Sequence, residues 1–193
     1  MGGSLQPDAV LPLLRGRFGR DYRYLERCPS TQRELPDDAA EGALAATDEQ
    51  TEGRGRLGKS WLAPPGTSVL CSIVLRPPVR AERLPELMPV AGRACAEAIA
   101  AVARVEPTVK FPNDVLVGGR KVAGVLAEAV DGRVVLGVGI NVDQRADQLP
   151  PGANATSLAL ETGRDLDRAG LLAEFLARLE TRYDEWVSDA RDD

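Results

Sequence analysis

The apolar positions of the chain fall into short runs with two different periods. "DYRYLER" (residues 21–27) alternates and predicts an early strand. "PSTQRELPDDAAEG" follows, with Ser30 or Thr31 placed to cap a short helix, Glu34 three or four residues on, and Pro36 keeping that helix short. "GALAAT" (42–47) predicts a strand running into a glycine-rich loop, and "TSVLCSIVLRP" (67–77) predicts a second, rich in branched residues and closed by Pro77 and Pro78. Residues 84–103 have helical composition and little polarity, which predicts a buried helix with Pro85 and Pro89 near its start. Residues 108–142 form several apolar runs punctuated by Pro112-Asn113-Asp114, Gly118-Gly119 and Asp131-Gly132. Such punctuation predicts consecutive antiparallel strands. After a loop with about one helical turn (150–163), residues 165–187 are amphipathic at helical spacing. Leu171, Leu172, Phe175, Leu176, Leu179, Tyr183 and Trp186 share one face, and the charged tail 188–193 is expected to fray. There is no internal repeat and no linker. The fold class is therefore α+β: a single domain, with a core over about residues 21–187, in which helices pack on a mostly antiparallel mixed sheet.

Composition narrows the chemistry. The chain has 193 residues, 44% hydrophobic and 27% charged, with a formal net charge of -5. That sign argues against a general nucleic-acid binder. No run reaches the ~18 apolar residues of a membrane helix, and the first residues carry Asp8 rather than a signal sequence. The three cysteines, Cys28, Cys71 and Cys95, are odd in number and far apart. They fit neither a disulfide framework nor a metal cluster, and point to a cytoplasmic location. The chain contains no histidine, which excludes a Ser-His-Asp triad and histidine metal sites and favours a reaction whose nucleophile is already ionised.

"GRGRLGKSW" (53–61) matches the phosphate-binding pattern G-x-x-x-x-G-K-[ST] over Gly53 to Ser60. That pattern works only where the loop opens a helix. Here Pro64, Pro65 and Gly66 follow closely, and a proline within a helix costs roughly 3 kcal/mol. The P-loop reading is rejected, but three glycines and three cations within residues 53–59 still need a reason. A loop that orders around an anion supplies one: cations neutralise it and glycines let the backbone approach. Further polar clusters sit beside the predicted strands: Ser30-Thr31-Gln32, Gln50, Lys110 with Asn113-Asp114, Lys121 with Gly124, and Asn141. Singly, each has a plain alternative: Ser30 and Thr31 as helix caps, Pro112-Asn113-Asp114 as a turn, Lys121 as a solvated strand residue.

In order and spacing, "STQ", "DEQTEGRGRLGKSW", "KFPND", "GRKVAGVLAE" and "GVGINV" resemble the catalytic domain of biotin protein ligases, from about residue 21 to Trp186. The resemblance implies a fold like that of class II aminoacyl-tRNA synthetases. It also implies a reaction in which biotin and ATP give biotinyl-5′-AMP, whose acyl group passes to a lysine of a biotin carboxyl carrier domain of an acyl-CoA or pyruvate carboxylase. By matching position, Ser30, Thr31, Gln50, Gly53, Arg54 and Gly124 would hold biotin. Arg56, Lys59, Trp61, Lys110, Asn113 and Asn141 would hold ATP or the adenylate. Lys121 would be the catalytic cation, with Arg56 beside it, and Asp114 would serve either Mg²⁺ or the incoming lysine. No DNA or membrane partner is implied, and a homodimer is left open.

The sequence departs from the pattern in places. Phe111 replaces a commoner tryptophan, Lys59 an arginine, and Glu52 puts a negative charge in a loop meant for anions. The segment between Thr31 and Gln50 is short. Too few residues precede position 21 for a DNA-binding domain, and the chain ends where a small SH3-like domain usually follows. Two alternatives stay open: a lipoate or octanoate ligase of the same fold, and a degenerate biotin-binding protein.

Overall fold

The computed structural model describes residues 3–130 and 132–191. In chain order the elements are α1 (Pro7–Val10), β1 (Tyr22–Cys28), β2 (Leu44–Gln50), β3 (Ser68–Leu75), α2 (Leu87–Ala103), β4 (Pro107–Lys110), β5 (Asp114–Val117), β6 (Arg120–Val130), β7 (Arg133–Asn141), α3 (Leu158–Thr162) and α4 (Arg168–Arg191). The strands make one sheet in the order β1-β2-β3-β7-β6-β5-β4. Only β1 and β2 are parallel; every other neighbouring pair is antiparallel. The α+β class and the mixed, mostly antiparallel sheet are as the periodicity predicts.

The two faces of the sheet are built differently. On one, Ala46, Cys71, Ile73, Val125, Val138 and Ile140 meet α2 and α4 in a single large core. The face α2 offers is mostly small (Ala91, Ala94, Cys95, Ala98, with Ile99), so its backbone can lie close to both the sheet and α4. The predicted face of α4, from Leu171 to Trp186, is buried throughout, with Phe175 fully inaccessible. On the opposite face a smaller cluster of Leu35, Ala39, Ala43, Ala45, Val74 and Val135 anchors the segment joining β1 to β2. Buried Arg133 ties that segment down, donating to the Pro36 carbonyl at 2.6 Å and pairing with Asp37. Among the described residues the rest of this face carries no α-helix, only the 3-10 turn Thr31–Arg33, and the polar clusters gather there.

Three local expectations change. Ser30 is not a side-chain helix cap: the chain makes only a 3-10 turn at Thr31–Arg33, and the Ser30 hydroxyl points elsewhere. Residues 84–86 belong to a 3-10 turn, Ala81–Glu86, that contains Pro85, and α2 begins at Leu87, with Pro89 in its first turn, where a missing N–H costs the ladder nothing. The tail does not fray from residue 188, because α4 continues to Arg191. Residues 192–193, and Asp131 of the predicted Asp131-Gly132 turn, lie outside the described residues.

Replacing Phe175 by alanine removes a large, fully buried ring from the junction of α4 and the sheet. It should lower unfolding free energy by about 3–5 kcal/mol in denaturant titration; a loss under ~1 kcal/mol would mean that α4 is not part of the main core.

Candidate active site

The helix-free face has a bare patch at its centre. Across β3, β7, β6 and β5 the register aligns Leu70, Gly139, Gly124 and Asp114 in one row, and Ser72, Gly137 and Leu126 in the next. The glycines leave backbone uncovered on this side, while the intervening Val125, Val138 and Ala123 fill the helix side. Trp61 lies on the patch. A Cβ at Gly139 would sit 2.5 Å from the Trp61 ring, and one at Gly124 would sit 3.0 Å from it. Any side chain at Gly139 would displace the indole.

Ser30, Thr31, Gln50 and Ser72 form a polar end to this pocket. Gln50 Oε1 accepts from the Thr31 backbone N–H at 2.8 Å and from Thr31 Oγ1 at 3.1 Å, and Thr31 Oγ1 lies 2.7 Å from Ser72 Oγ. Ser30 Oγ is buried and has no hydrogen-bond partner among the described residues. An unpaired buried hydroxyl costs about 1–3 kcal/mol, and because Ser30 lines the pocket, a bound ligand or water can supply the missing partner.

The opposite end is cationic. The glycine loop is a small hairpin: the Trp61 N–H donates to Gly53 O at 2.8 Å, Gly55 N–H to Lys59 O at 2.7 Å, and Arg54 bridges Ser60. A 3-10 turn at Arg56–Gly58 forms its tip, with Leu57 at φ 57°. No helix follows Ser60, so the rejected P-loop geometry is absent. Arg54 is paired with Glu128 at 3.0 Å, and Arg56 reaches Asn113 Oδ1 at 3.3 Å. Both arginines line the pocket.

Lys121 completes this end through a fault in the strand. Leu116 pairs with Lys121 and Val115 with Ala123, so Val122 is an extra residue in β6. In a regular strand residues 121 and 124 would face opposite ways. The bulge sends both Val122 and Ala123 into the core and turns Lys121 to the Gly124 side, where its Nζ lies 3.2 Å from the place a Gly124 Cβ would occupy. The Lys121 backbone is fixed from outside the sheet, its N–H donating to Asn154 O at 2.9 Å and its carbonyl accepting from Thr156 N–H at 2.8 Å. The ammonium pairs with Asp114 at 2.8 Å and stands 5.4 Å from the Trp61 ring centre.

Of the residues singled out from the sequence, Ser30, Thr31, Gln50, Arg54, Arg56, Trp61, Asn113, Lys121 and Gly124 line one pocket. Gly53 lies beneath the loop and Asp114 beneath Lys121, where a Gly53 Cβ would come 2.4 Å from the Trp61 carbonyl. Lys59 and Lys110 are exposed and do not line it. Asn141 is buried beyond it, with Nδ2 donating to Thr156 O at 3.0 Å and Oδ1 accepting from Gln144 at 3.0 Å. Glu52 does not bring its charge into the loop; it turns outward to Arg33 at 2.9 Å. Ser72, Glu128, Gly137 and Gly139 belong to the site and were not singled out from the sequence. The alternating glycines of "GVGIN" carried a signal for the last two, and mid-strand Ser72 carried none.

A model of the biotin/lipoate A/B protein ligase family matches residues 24–144, more than half of the chain. The chain belongs to this family. Among curated members of the biotin/lipoate ligase family, it is 36% identical to the bifunctional ligase/repressor BirA of Bacillus spizizenii, over 89% of this chain and 56% of the relative. It is 38% identical to the biotin--[acetyl-CoA-carboxylase] ligase of Mycobacterium tuberculosis, over 87% of this chain and 67% of the relative. It thus spans little more than half the length of the Bacillus family member. A structure of the biotin protein ligase from Aquifex aeolicus in complex with biotin and ATP superposes with a TM-score of 0.79 at 34% identity, covering 86% of this chain and 72% of that one.

The thiols bear on which branch of the biotin/lipoate ligase family the site resembles. Burial pushes the Cys71 thiol up to about 12 and raises those of Cys28 and Cys95. Cys71 borders the pocket from β3, but its side chain belongs to the core on the helix side. All three thiols therefore stay protonated near neutral pH.

Gly139→Ala tests the seat of Trp61. In a Trp186→Phe background, Trp61 emission should shift to longer wavelength as the ring is pushed into water. Unchanged emission would mean that the sheet moves instead of the indole.

Proposed function

We propose that this chain carries the ligase activity of a biotin protein ligase. It joins biotin to AMP from ATP, releasing pyrophosphate, and passes the biotinyl group to a lysine of a biotin carboxyl carrier domain of an acyl-CoA or pyruvate carboxylase. The observation that carries the reading is a pocket with a hydrogen-bonding end at Ser30, Thr31 and Gln50, a bare backbone floor, and a cationic end at Lys121, Arg54 and Arg56. Biotin has the matching parts: a cyclic urea, an apolar ring and chain, and a carboxylate. The names of the relatives and the biotin and ATP held by the Aquifex structure support the same assignment.

In the first step a biotin carboxylate oxygen attacks the α-phosphorus, and the bond from that phosphorus to the bridging oxygen of pyrophosphate breaks. The carboxylate is ionised at neutral pH, so no general base is needed, which suits a chain without histidine. The barrier is the approach of an anion to a polyanion. Lys121, fixed by Asp114 and by its backbone bonds, and Arg56, held by Asn113, supply positive charge already in place. In the second step the carrier lysine amine attacks the acyl carbon, AMP leaves, and the amine gives up a proton.

Among the described residues no three His, Cys, Asp or Glu side chains cluster as metal ligands. Mg²⁺ would be carried mainly by the nucleotide phosphates, and Asp114, paired with Lys121 at 2.8 Å, would either join it or serve the incoming lysine. When bound, Mg²⁺ would neutralise phosphate charge. The lipoate reading gains no support here, and a mechanism through a cysteine nucleophile is disfavoured by the three raised thiols.

The experiment is isothermal titration with biotin, followed by a pyrophosphate assay with biotin, ATP and Mg²⁺. Biotin binding with pyrophosphate release is expected; binding without release would favour the degenerate reading. Lys121→Ala should lower the rate of adenylation by at least ~10²-fold while the unfolding curve stays in place. A Lys121→Ala protein with full activity would remove that residue from the mechanism.

A further inference from the structure

We propose that Gln32 determines which ring systems the pocket admits, as its end wall and as the acceptor for a ring N–H. The inference rests on the biotin reading above. Gln32 sits on the 3-10 turn Thr31–Arg33, and its side chain lies across β6 and β7 at the polar end of the pocket. Its Nε2 donates to Leu126 O on β6 at 3.3 Å. Its amide rests on the bare backbone of β7: a Cβ at Gly137 would stand 3.1 Å from Gln32 Cδ and Nε2, and 3.4 Å from Ser72 Oγ. The wall and the neighbouring floor are therefore in contact, with no space between them for a substituent.

The hydrogen bonds at this end show which groups are available to a ligand. Thr31, Gln50 Oε1 and Ser72 are already bonded to one another. Ser30 Oγ and Gln32 Oε1 are both buried and both without a partner among the described residues. A cyclic urea presents one carbonyl acceptor and two N–H donors. The Ser30 hydroxyl can donate to the carbonyl, whereas Gln32 Oε1 can only accept, and so takes an N–H. Gln32 as a residue is only half-buried, so its outer edge meets solvent and shortening it opens the pocket outward rather than into the core.

Gln32→Ala and Gln32→Leu separate the two roles. Biotin and a biotin methylated at a ureido nitrogen are titrated into each protein by calorimetry. The unsubstituted chain should prefer biotin by about 100-fold, the scale of one misplaced methyl against a rigid wall. Gln32→Ala should weaken biotin by about five- to ten-fold, the scale of one buried neutral hydrogen bond, and reduce the preference below about ten-fold. Gln32→Leu keeps bulk without the acceptor, and should weaken biotin similarly while still rejecting the methylated ligand. A Gln32→Ala protein with the original affinity and the original preference overturns the inference while leaving the proposed function standing. An unsubstituted protein that binds no biotin overturns the proposed function, and this inference with it.

Discussion

On the pocket side of the sheet, Gly124, Gly137 and Gly139 leave a stretch of strand with no side chains, and the rest of the site is arranged around that gap. β6 and β7 are interior strands with two faces to cover. One face is filled by Val125, Val138 and Ile140 against α2 and α4. The other is kept clear, although glycine within a strand weakens it by roughly 0.5–1 kcal/mol per residue. The dense core on the helix side offsets that weakness and backs the strands that serve as a floor. Trp61, Gln32 and the Lys121 side chain all come to rest against it because nothing grows from it.

The charges around the floor are arranged for position more than for stability. Arg54 with Glu128 and Lys121 with Asp114 are partly open to solvent, where an ion pair is worth about 0–1 kcal/mol. What each pairing does is fix a cation before any ligand arrives. A protein with net charge -5 thereby presents a local concentration of positive charge at one end of one pocket. The carboxylate that seemed to conflict with this, Glu52, is removed from it by pairing outward with Arg33.

Much of this was legible in the residue order. Alternation in residues 21–27, branched residues in 67–77 and turn residues within 108–142 placed strands, helical spacing identified the buried face of α4 from Leu171 to Trp186, and the prolines after Ser60 excluded a phosphate-binding helix. Glycines and cations packed into residues 53–59 marked a loop set apart from the strands, which closes as a hairpin with Arg54 and Arg56 lining the pocket. These properties depend on local period and on backbone restrictions, which each residue carries with it.

Tertiary structure decided the rest, because it depends on which residues lie across from one another. Nothing in "GRKVAG" announces that Val122 is surplus; it becomes so only when β5 pairs in a register that skips it, and that skip aims Lys121 at the site. Ser72 is one more small residue in an apolar run until β7 sets Gly137 beside it and Thr31 reaches it from another segment. Lys59 and Lys110 look equivalent to Lys121 as cations in a motif, yet the hairpin and the sheet edge leave both facing solvent. The sequence by itself determined the elements and the kinds of group available. Register, bulge and loop closure determined which of those groups share a cavity, since these are set by long-range pairing that no local pattern encodes.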